Sequence, residues 1–308
     1  MTSWSSDVGP RSRADRKRAA LRAGLAGDDP VVAVGAHDAM SARLITQHGF
    51  DAVWVSGFGV SAMAHGLPDL NLLTMTETLE ATRRIDGVTD LPVVVDCDNG
   101  YGGFGNVVRT VVEFDRAGVA AVCIEDNLFP KRNSLYNGQA RRDLVPVEEQ
   151  ARRLRAGKAA QESELFVLIA RVEALIAGHG VQAACERALA YADAGADAIL
   201  IHSKDKSLKE IEGFLNAWQR EGVQVPLVAV PTLFPDYSAR ELRDKGFSLV
   251  ILANHPMRAS VQAMEETLAK LAVDGRAADV DGSIAAVNHV FDLVGTREAI
   301  EAEEEDGR

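Results

Sequence analysis

Charged side chains close several of the apolar runs in this sequence, and that repetition is its most chemical feature. Asp96-Cys97-Asp98 ends LPVVVDCD (91–98), Glu125-Asp126 ends AGVAAVCIED (117–126), and Arg171-Val172-Glu173 ends FVLIARVE (166–173). His202-Ser203 ends AGADAILIHS (194–203), and Ser56-Gly57 ends HGFDAVWVSG (48–57). Carboxylates that converge from neighbouring ends repel one another unless something positive lies between them. A divalent cation serves, and an oxygen-only donor set without a Cys/His cluster favours Mg²⁺, with Mn²⁺ as the alternative, over zinc. Asp96, Asp98 and Glu125 are therefore candidate metal ligands. Arg171 and His202 fit an anion clamp, because Arg offers a bidentate fork and His can donate to a phosphoryl-type oxygen. The bland alternatives are an Asp-x-Asp turn and core cations paired with Glu173 or Asp197.

Two polar stretches accompany these ends. Lys131-Arg132-Asn133-Ser134, after Asn127-Leu128-Phe129-Pro130, lacks apolar periodicity. It reads as a solvated loop or, since long loops at a strand end are frequently lids, as a gate. Asp69 lies in His65-Gly66-Leu67-Pro68-Asp69-Leu70-Asn71, where Asp-x-Asn suits a turn or cap as well as chemistry. His37, His48, His65, His179 and His289 show no ligand spacing.

Positioning such groups requires a repeated scaffold. HGFDAVWVSG, AGVAAVCIED, AGADAILIHS and KGFSLVILAN (245–254) share one layout: a helical pattern stopped by glycine, then a short apolar run, then polar residues. VVAVGAHD (31–38), LPVVVDCD, FVLIARVE and PLVAVP (226–231) supply further runs. Continuous apolar runs suit parallel strands buried on both faces. Amphipathic segments alternate with them: Thr74–Arg84, opened by the capping box Thr74-Met75-Thr76-Glu77, then Asn106–Arg116, Val181–Ala192, Leu208–Arg220 and Arg258–Leu271. This alternation predicts an α/β fold, a (β/α)8 TIM-type barrel with its active site at the C-terminal strand ends. No glycine-rich dinucleotide fingerprint follows the first run, which weakens the doubly wound alternative.

A chain of 308 residues, 47% hydrophobic, can bury a large core. Its net charge of -12 argues against nucleic acid as a partner. Cys97, Cys123 and Cys185 read as buried thiols rather than a disulfide framework. No apolar leader or anchor is visible, so a cytoplasmic protein without a membrane partner is expected. Residues 1–25 are expected to be a disordered or peripheral arm, 26–295 a catalytic barrel with C-terminal helices, and 296–308 an acidic tail that frays from Glu301 to Arg308.

Taken together, VWVSGF, GLPDLN, VVVDCDNGYG, EDNLFPKRNSL, ARVEALIAG, GADAILIHS and LANHPMRASV resemble the phosphoenolpyruvate mutase branch of the isocitrate lyase superfamily. The likeness runs from Val31 to Val294. It implies a barrel that exchanges a terminal helix between subunits in a homotetramer, a dimer of dimers, and Mg²⁺-dependent interconversion of phosphoenolpyruvate and phosphonopyruvate in phosphonate biosynthesis. By matching motif, Asp96 would anchor the metal with Asp98 and Glu125 in support. Ser56, Gly57 and Phe58 would line the pyruvyl part, while Arg171, His202, Asn133 and Ser134 would hold the phosphoryl group. Lys131 would belong to the gate, and Asp69 would be the essential aspartate. Asn99 stands where relatives usually have threonine, and Cys97 replaces alanine, which bears on the surroundings of the metal. Phosphonopyruvate hydrolase is the alternative: PDLNLLTMTETLE resembles it, whereas Asn133 resembles the mutase. The carbon–carbon lyases carry a lid cysteine that Asn133-Ser134 lacks. A silent metabolite-binding barrel ranks last.

Overall fold

The computed structural model describes residues 12–136 and 143–306. Each apolar run becomes a strand: β1 (Val31–Ala36), β2 (Ala52–Val55), β3 (Val93–Asp96), β4 (Ala121–Glu125), β5 (Val167–Val172), β6 (Ala198–Ile201), β7 (Leu227–Ala229) and β8 (Phe247–Leu252). All neighbours pair in parallel, and β8 returns to β1 to close the barrel. Between and around them lie α1 (Arg13–Ala26), α2 (Ala39–Gln47), α3 (Gly57–His65), α4 (Met75–Asp86), α5 (Phe104–Arg116), α6 (Val147–Ala160), α7 (Gly180–Asp193), α8 (Lys209–Glu221) and α9 (Ala239–Asp244). The expected (β/α)8 barrel is the observed fold. The capping box at Thr74 is formed, Thr74 Oγ1 accepting from Glu77 N–H while the Glu77 carboxylate accepts from Thr74 N–H.

The two-residue period of the strands divides the core in two. Val53, Val55, Val93, Val95, Val122, Ile124, Leu168 and Ala170 face outward into one cluster with the helices. Ala33, Ala52, Trp54, Val94, Ala121, Cys123, Val167, Ile169, Ala198, Leu200, Val228, Leu249 and Ile251 fill the barrel interior. The interior parity, carried one step further, falls on Ser56, Asp96, Glu125, Arg171 and His202. Folding the apolar runs thus aims the chemical residues at one mouth. Close packing shows at Gly35 of β1, where an added Cβ would sit 2.0 Å from the Ala253 carbonyl oxygen.

Two sequence expectations require correction. Residues 13–25 are not disordered: they form most of α1, whose Leu21 and Leu25 join the interior cluster. Arg18 and Arg22 on that helix bond the carbonyls of Val119, Leu165 and Phe166, and Lys17 pairs with Asp86 at 2.5 Å. The basic make-up that reads as a solvated tail thus satisfies strand-end carbonyls. Residues 1–11 lie outside the described residues. In the acidic C-terminal stretch Thr296–Asp306 form a helix rather than a frayed tail, and residues 307–308 lie outside the described residues.

The chain divides into two compact units, residues 1–254 and 255–308. The second holds α10 (His255–Asp274), α11 (Ala278–Asp281), α12 (Val287–Val294) and α13 (Thr296–Asp306). It leaves Leu268, Val273, Val287 and Phe291 exposed, Val273 to 82%. Among the described residues no helix is long and apolar enough to cross a membrane.

Candidate active site

The mouth of the barrel encloses about 60 Å³, lined by Ser56, Asp69, Asp96, Glu125, Arg171 and His202 among others. Space on this scale is far below the roughly 300–1,000 Å³ of a drug-sized site and admits only a small molecule. Lys131, Asn133 and Ser134 of the lid line it as well, and so do Trp54, Phe58, Val230, Thr232, Ala253 and Asn254. The structure therefore gathers nearly every sequence-derived site residue in one cavity.

Asp96 ends β3, and its Oδ1 accepts the Asp98 backbone N–H at 3.2 Å. Asp98 follows in the left-handed region, φ 49, which turns its carboxylate back toward the strand end. A Cβ on Gly57 would lie 3.3 Å from both Asp96 Oδ2 and Asp98 Oδ1. A side chain there would crowd both carboxylates, so Gly57 shapes the site rather than lining it. Glu125 is buried at the end of β4, where Asn127 Nδ2 donates to its Oε1 at 3.0 Å. Burial, with Asp96 nearby, pushes Glu125 up to about 8 against the pull of Arg171 and Lys131. Burial, with Asp96 and Asp69 nearby, likewise lifts Asp98 to about 7 despite Lys131.

Two buried cations meet this negative charge. Lys131 Nζ bridges Asp98 Oδ1 and Asp69 Oδ1, the latter at 2.8 Å. Burial works against its charge, but Asp69 and Asp98 outweigh it and raise the ammonium well above its ordinary value. Arg171 Nε donates to Glu173 Oε1 at 2.6 Å, and Nη1 stands 3.4 Å from Glu125 Oε2. Burial raises Glu173, yet Arg171, His202 and Ser134 together hold it below the usual carboxylate range. Ser134 Oγ donates to Glu173 Oε2 at 2.7 Å and accepts from Arg171 Nη2 at 2.7 Å. His202 Nδ1 lies 3.3 Å from Arg171 Nη2.

Asp69 stands across from this cluster on the loop after α3 and accepts Asn133 Nδ2 at 2.6 Å on Oδ2. Asn133 Oδ1 in turn accepts the Leu135 N–H at 2.9 Å. Ser56 Oγ caps α3 by accepting Gly59 N–H at 3.1 Å.

Among the described residues no group of three or more His, Cys, Asp and Glu side chains is placed ready to hold a metal ion, and Lys131 and Arg171 are ion-paired to the carboxylates there. The donor set nonetheless fits a hard divalent cation. It is all oxygen, and burial lifts Asp98 and Glu125 above the usual carboxylate range, a penalty on their charge that a 2+ ion would relieve. Asp96, Asp98 and Glu125 are the residues that would hold such an ion.

Sequence reasoning missed several participants. Glu173 appears there only as a partner for Arg171, yet it organises the whole clamp. Its own N–H donates to Asp126 Oδ1 at 2.9 Å, and Asp126 is pinned by Arg187 and Tyr191. Thr232 and Asn254 carry buried oxygens, Oγ1 and Oδ1, that find no hydrogen-bond partner among the described residues. For Thr232 the alternation Val228, Val230, Thr232 was the available signal. The thiols of Cys97 and Cys123 are buried, raised by burial and beside acidic neighbours, and do not line the cavity.

The sequence profile of the phosphoenolpyruvate phosphomutase family matches residues 21–272. A phosphonopyruvate hydrolase of Variovorax sp. (strain Pal2) is 40% identical over 280 residues, covering 91% of this chain and 95% of that protein. The crystal structure of a phosphoenolpyruvate phosphomutase from Streptomyces platensis subsp. rosaceus is similar at a TM-score of 0.90 and 43% identity, covering 94% of this chain and 99% of the other. A phosphonopyruvate hydrolase complexed with oxalate and Mg²⁺ is similar at a TM-score of 0.86 and 38% identity, covering 94% and 98%.

Proposed function

The chain belongs to the phosphoenolpyruvate phosphomutase family, and from that premise we propose that it interconverts phosphoenolpyruvate and phosphonopyruvate. The P–O bond to the enol oxygen breaks, and a P–C bond forms at C3 of the same molecule. Arg171 and His202, with Asn133 and Ser134 from the lid, hold the phosphoryl group as it passes. Ser56 and Phe58 line the pyruvyl part, and Gly57 between them leaves room for the two carboxylates beside it. Moving a loose, metaphosphate-like group chiefly requires fixed geometry and neutralised charge. Glu173 supports both by fixing the guanidinium from behind. Asp69, bonded to Asn133 and Lys131, steers the migrating group or accepts it. When bound at Asp96, Asp98 and Glu125, Mg²⁺ supplies positive charge to the enolate.

The observation that carries this reading is Asn133 in the cavity, its amide on Asp69 at 2.6 Å. A neutral amide can follow a phosphoryl group without attacking it. A carbon–carbon lyase would need a thiol or other acid–base group there, and Cys97, Cys123 and Cys185 are all buried elsewhere. Phosphonopyruvate hydrolase is the second reading, favoured by the 40% identical relative. Phosphorus NMR of the protein with phosphonopyruvate and Mg²⁺ separates them. Phosphoenolpyruvate as product supports the mutase, inorganic phosphate the hydrolase, and an unchanged spectrum defeats both.

The exposed apolar side chains of the unit 255–308 support packing of the terminal helices on a second copy. On this reading the protein is a homo-oligomer that exchanges these helices.

A further inference from the structure

Asn71 joins three separate pieces of the mouth through one side chain. Its Nδ2 donates to Asp98 Oδ2 at 2.9 Å, at the end of β3. Its Oδ1 accepts Asn99 Nδ2 at 3.2 Å and the backbone N–H of Lys131, in the lid, at 2.6 Å. The described lid residues around Lys131 form no helix or strand, so this N–H has no ladder to join there and takes its acceptor from Asn71, outside the lid. Asp69, two residues earlier, grips the lid differently, through the side chains of Lys131 and Asn133. Those contacts must loosen whenever these side chains turn toward a bound anion. The bond from Asn71 is to backbone and between neutral groups, so it persists while charges inside the site rearrange.

We propose that Asn71 is a positioning residue that latches the lid through the Lys131 N–H and so keeps water from the migrating phosphoryl group. The latch stands on geometry alone, whereas its consequence for water rests on the mutase reading given above. Were water admitted, it would attack phosphorus, the P–C bond would break with its electron pair passing to the pyruvate enolate, and C3 would take a proton. Pyruvate and inorganic phosphate would result in place of phosphoenolpyruvate.

A purely structural role is the competing explanation, because Asn71 sits at φ 58 and asparagine tolerates that region. Asn71→Gly separates the two, since glycine adopts this backbone without strain while removing the side chain. Full-length protein is compared by single-amide hydrogen exchange, in which the Lys131 N–H of Asn71→Gly is expected to exchange about three- to tenfold faster than in the parent, with the melting temperature matched. In the same preparation, phosphorus NMR with phosphonopyruvate and Mg²⁺ should show the share of inorganic phosphate rising at least about fivefold. Exchange at the parent rate overturns the latch. Faster exchange with an unchanged phosphate share overturns the exclusion of water. A parent that releases only phosphate defeats the mutase reading, and the exchange result still decides the latch.

Discussion

Replacing Glu173 with glutamine tests whether the phosphoryl clamp is organised from behind. The carboxylate is fully buried and receives two charge-assisted or polar bonds, from Arg171 Nε at 2.6 Å and Ser134 Oγ at 2.7 Å. Glutamine keeps the shape and one acceptor oxygen but removes the charge. Hydrogen bonds to charged groups contribute about 1.5–3 kcal/mol against about 0.5–1.5 for neutral ones, so two weakened bonds cost about 2 kcal/mol. Arg171 then keeps Glu125, at 3.4 Å, as its charged partner, beside the bond from Nη2 to Ser134 Oγ. Full loss of a buried partner costs about 3–5 kcal/mol, which bounds the effect from above. Urea unfolding at neutral pH should therefore show Glu173→Gln less stable by about 2–4 kcal/mol. Kinetics should show kcat/KM down by about 100-fold, the penalty for a guanidinium displaced by about 1 Å. The difference must also depend on pH with a fixed sign. Glu173 is held below its ordinary value of 4.5, so the unfolded chain binds the proton first. The stabilisation is full above pH 4.5 and is lost as pH falls below it. A variant within about 0.5 kcal/mol of the parent at neutral pH, with normal kinetics, would refute this account of the clamp.

Asp69→Ala should lower kcat by more than about 100-fold while the thermal midpoint stays near the parent's; turnover close to normal removes Asp69 from the chemistry. Burial holds His37 below its ordinary 6.5, only partly offset by Asp38, so the unfolded chain protonates first and stability drops as pH falls below 6.5. His37→Gln should flatten that slope by up to about 1.4 kcal/mol per pH unit in urea titrations, and an unchanged slope contradicts the assignment. Mg²⁺ at about 100 times its Kd should stabilise the parent by about 2.7 kcal/mol but not Asp96→Asn, read from melting curves. Leu268→Asp with Phe291→Asp should reduce the sedimenting mass of the assembly, and an unaltered mass would dissociate these side chains from oligomer formation.

The strands were legible because parallel strands buried on both faces leave continuous apolar runs, and each run in the sequence matches one strand. Their interior face was less so, since Val-Val-Val-Asp at β3 is apolar at either parity and only the closed barrel decides which valine faces inward. Arg171 and Glu125 could be placed at strand ends, but not opposite each other; the β4–β5 register pairs them. Arg13, Lys17, Arg18 and Arg22 gave the opposite impression of their role, because a basic stretch looks solvated until the carbonyls and carboxylates that receive it are in place. Lys131 was read as part of a gate, and its place between Asp69 and Asp98 follows from a loop path that no periodicity encodes.

That placement also explains how an acid-rich mouth can take an anion at all. In the structure Lys131 is engaged by Asp69 and Asp98, and Arg171 by Glu173 and Glu125. An incoming phosphonate would therefore meet cations already neutralised, beside carboxylates still partly charged. The competition is unequal at the two cations. Glu173 remains behind Arg171 as a permanent counterion, held charged by its surroundings, so Arg171 keeps its orientation while its other face turns to the ligand. Lys131 has no such backing beyond Asp69 and Asp98, and its chain position is fixed by the neutral bond to Asn71 instead. The clamp is thus built to stay and the lysine to move, which is the division of labour that the proposed transfer without hydrolysis requires.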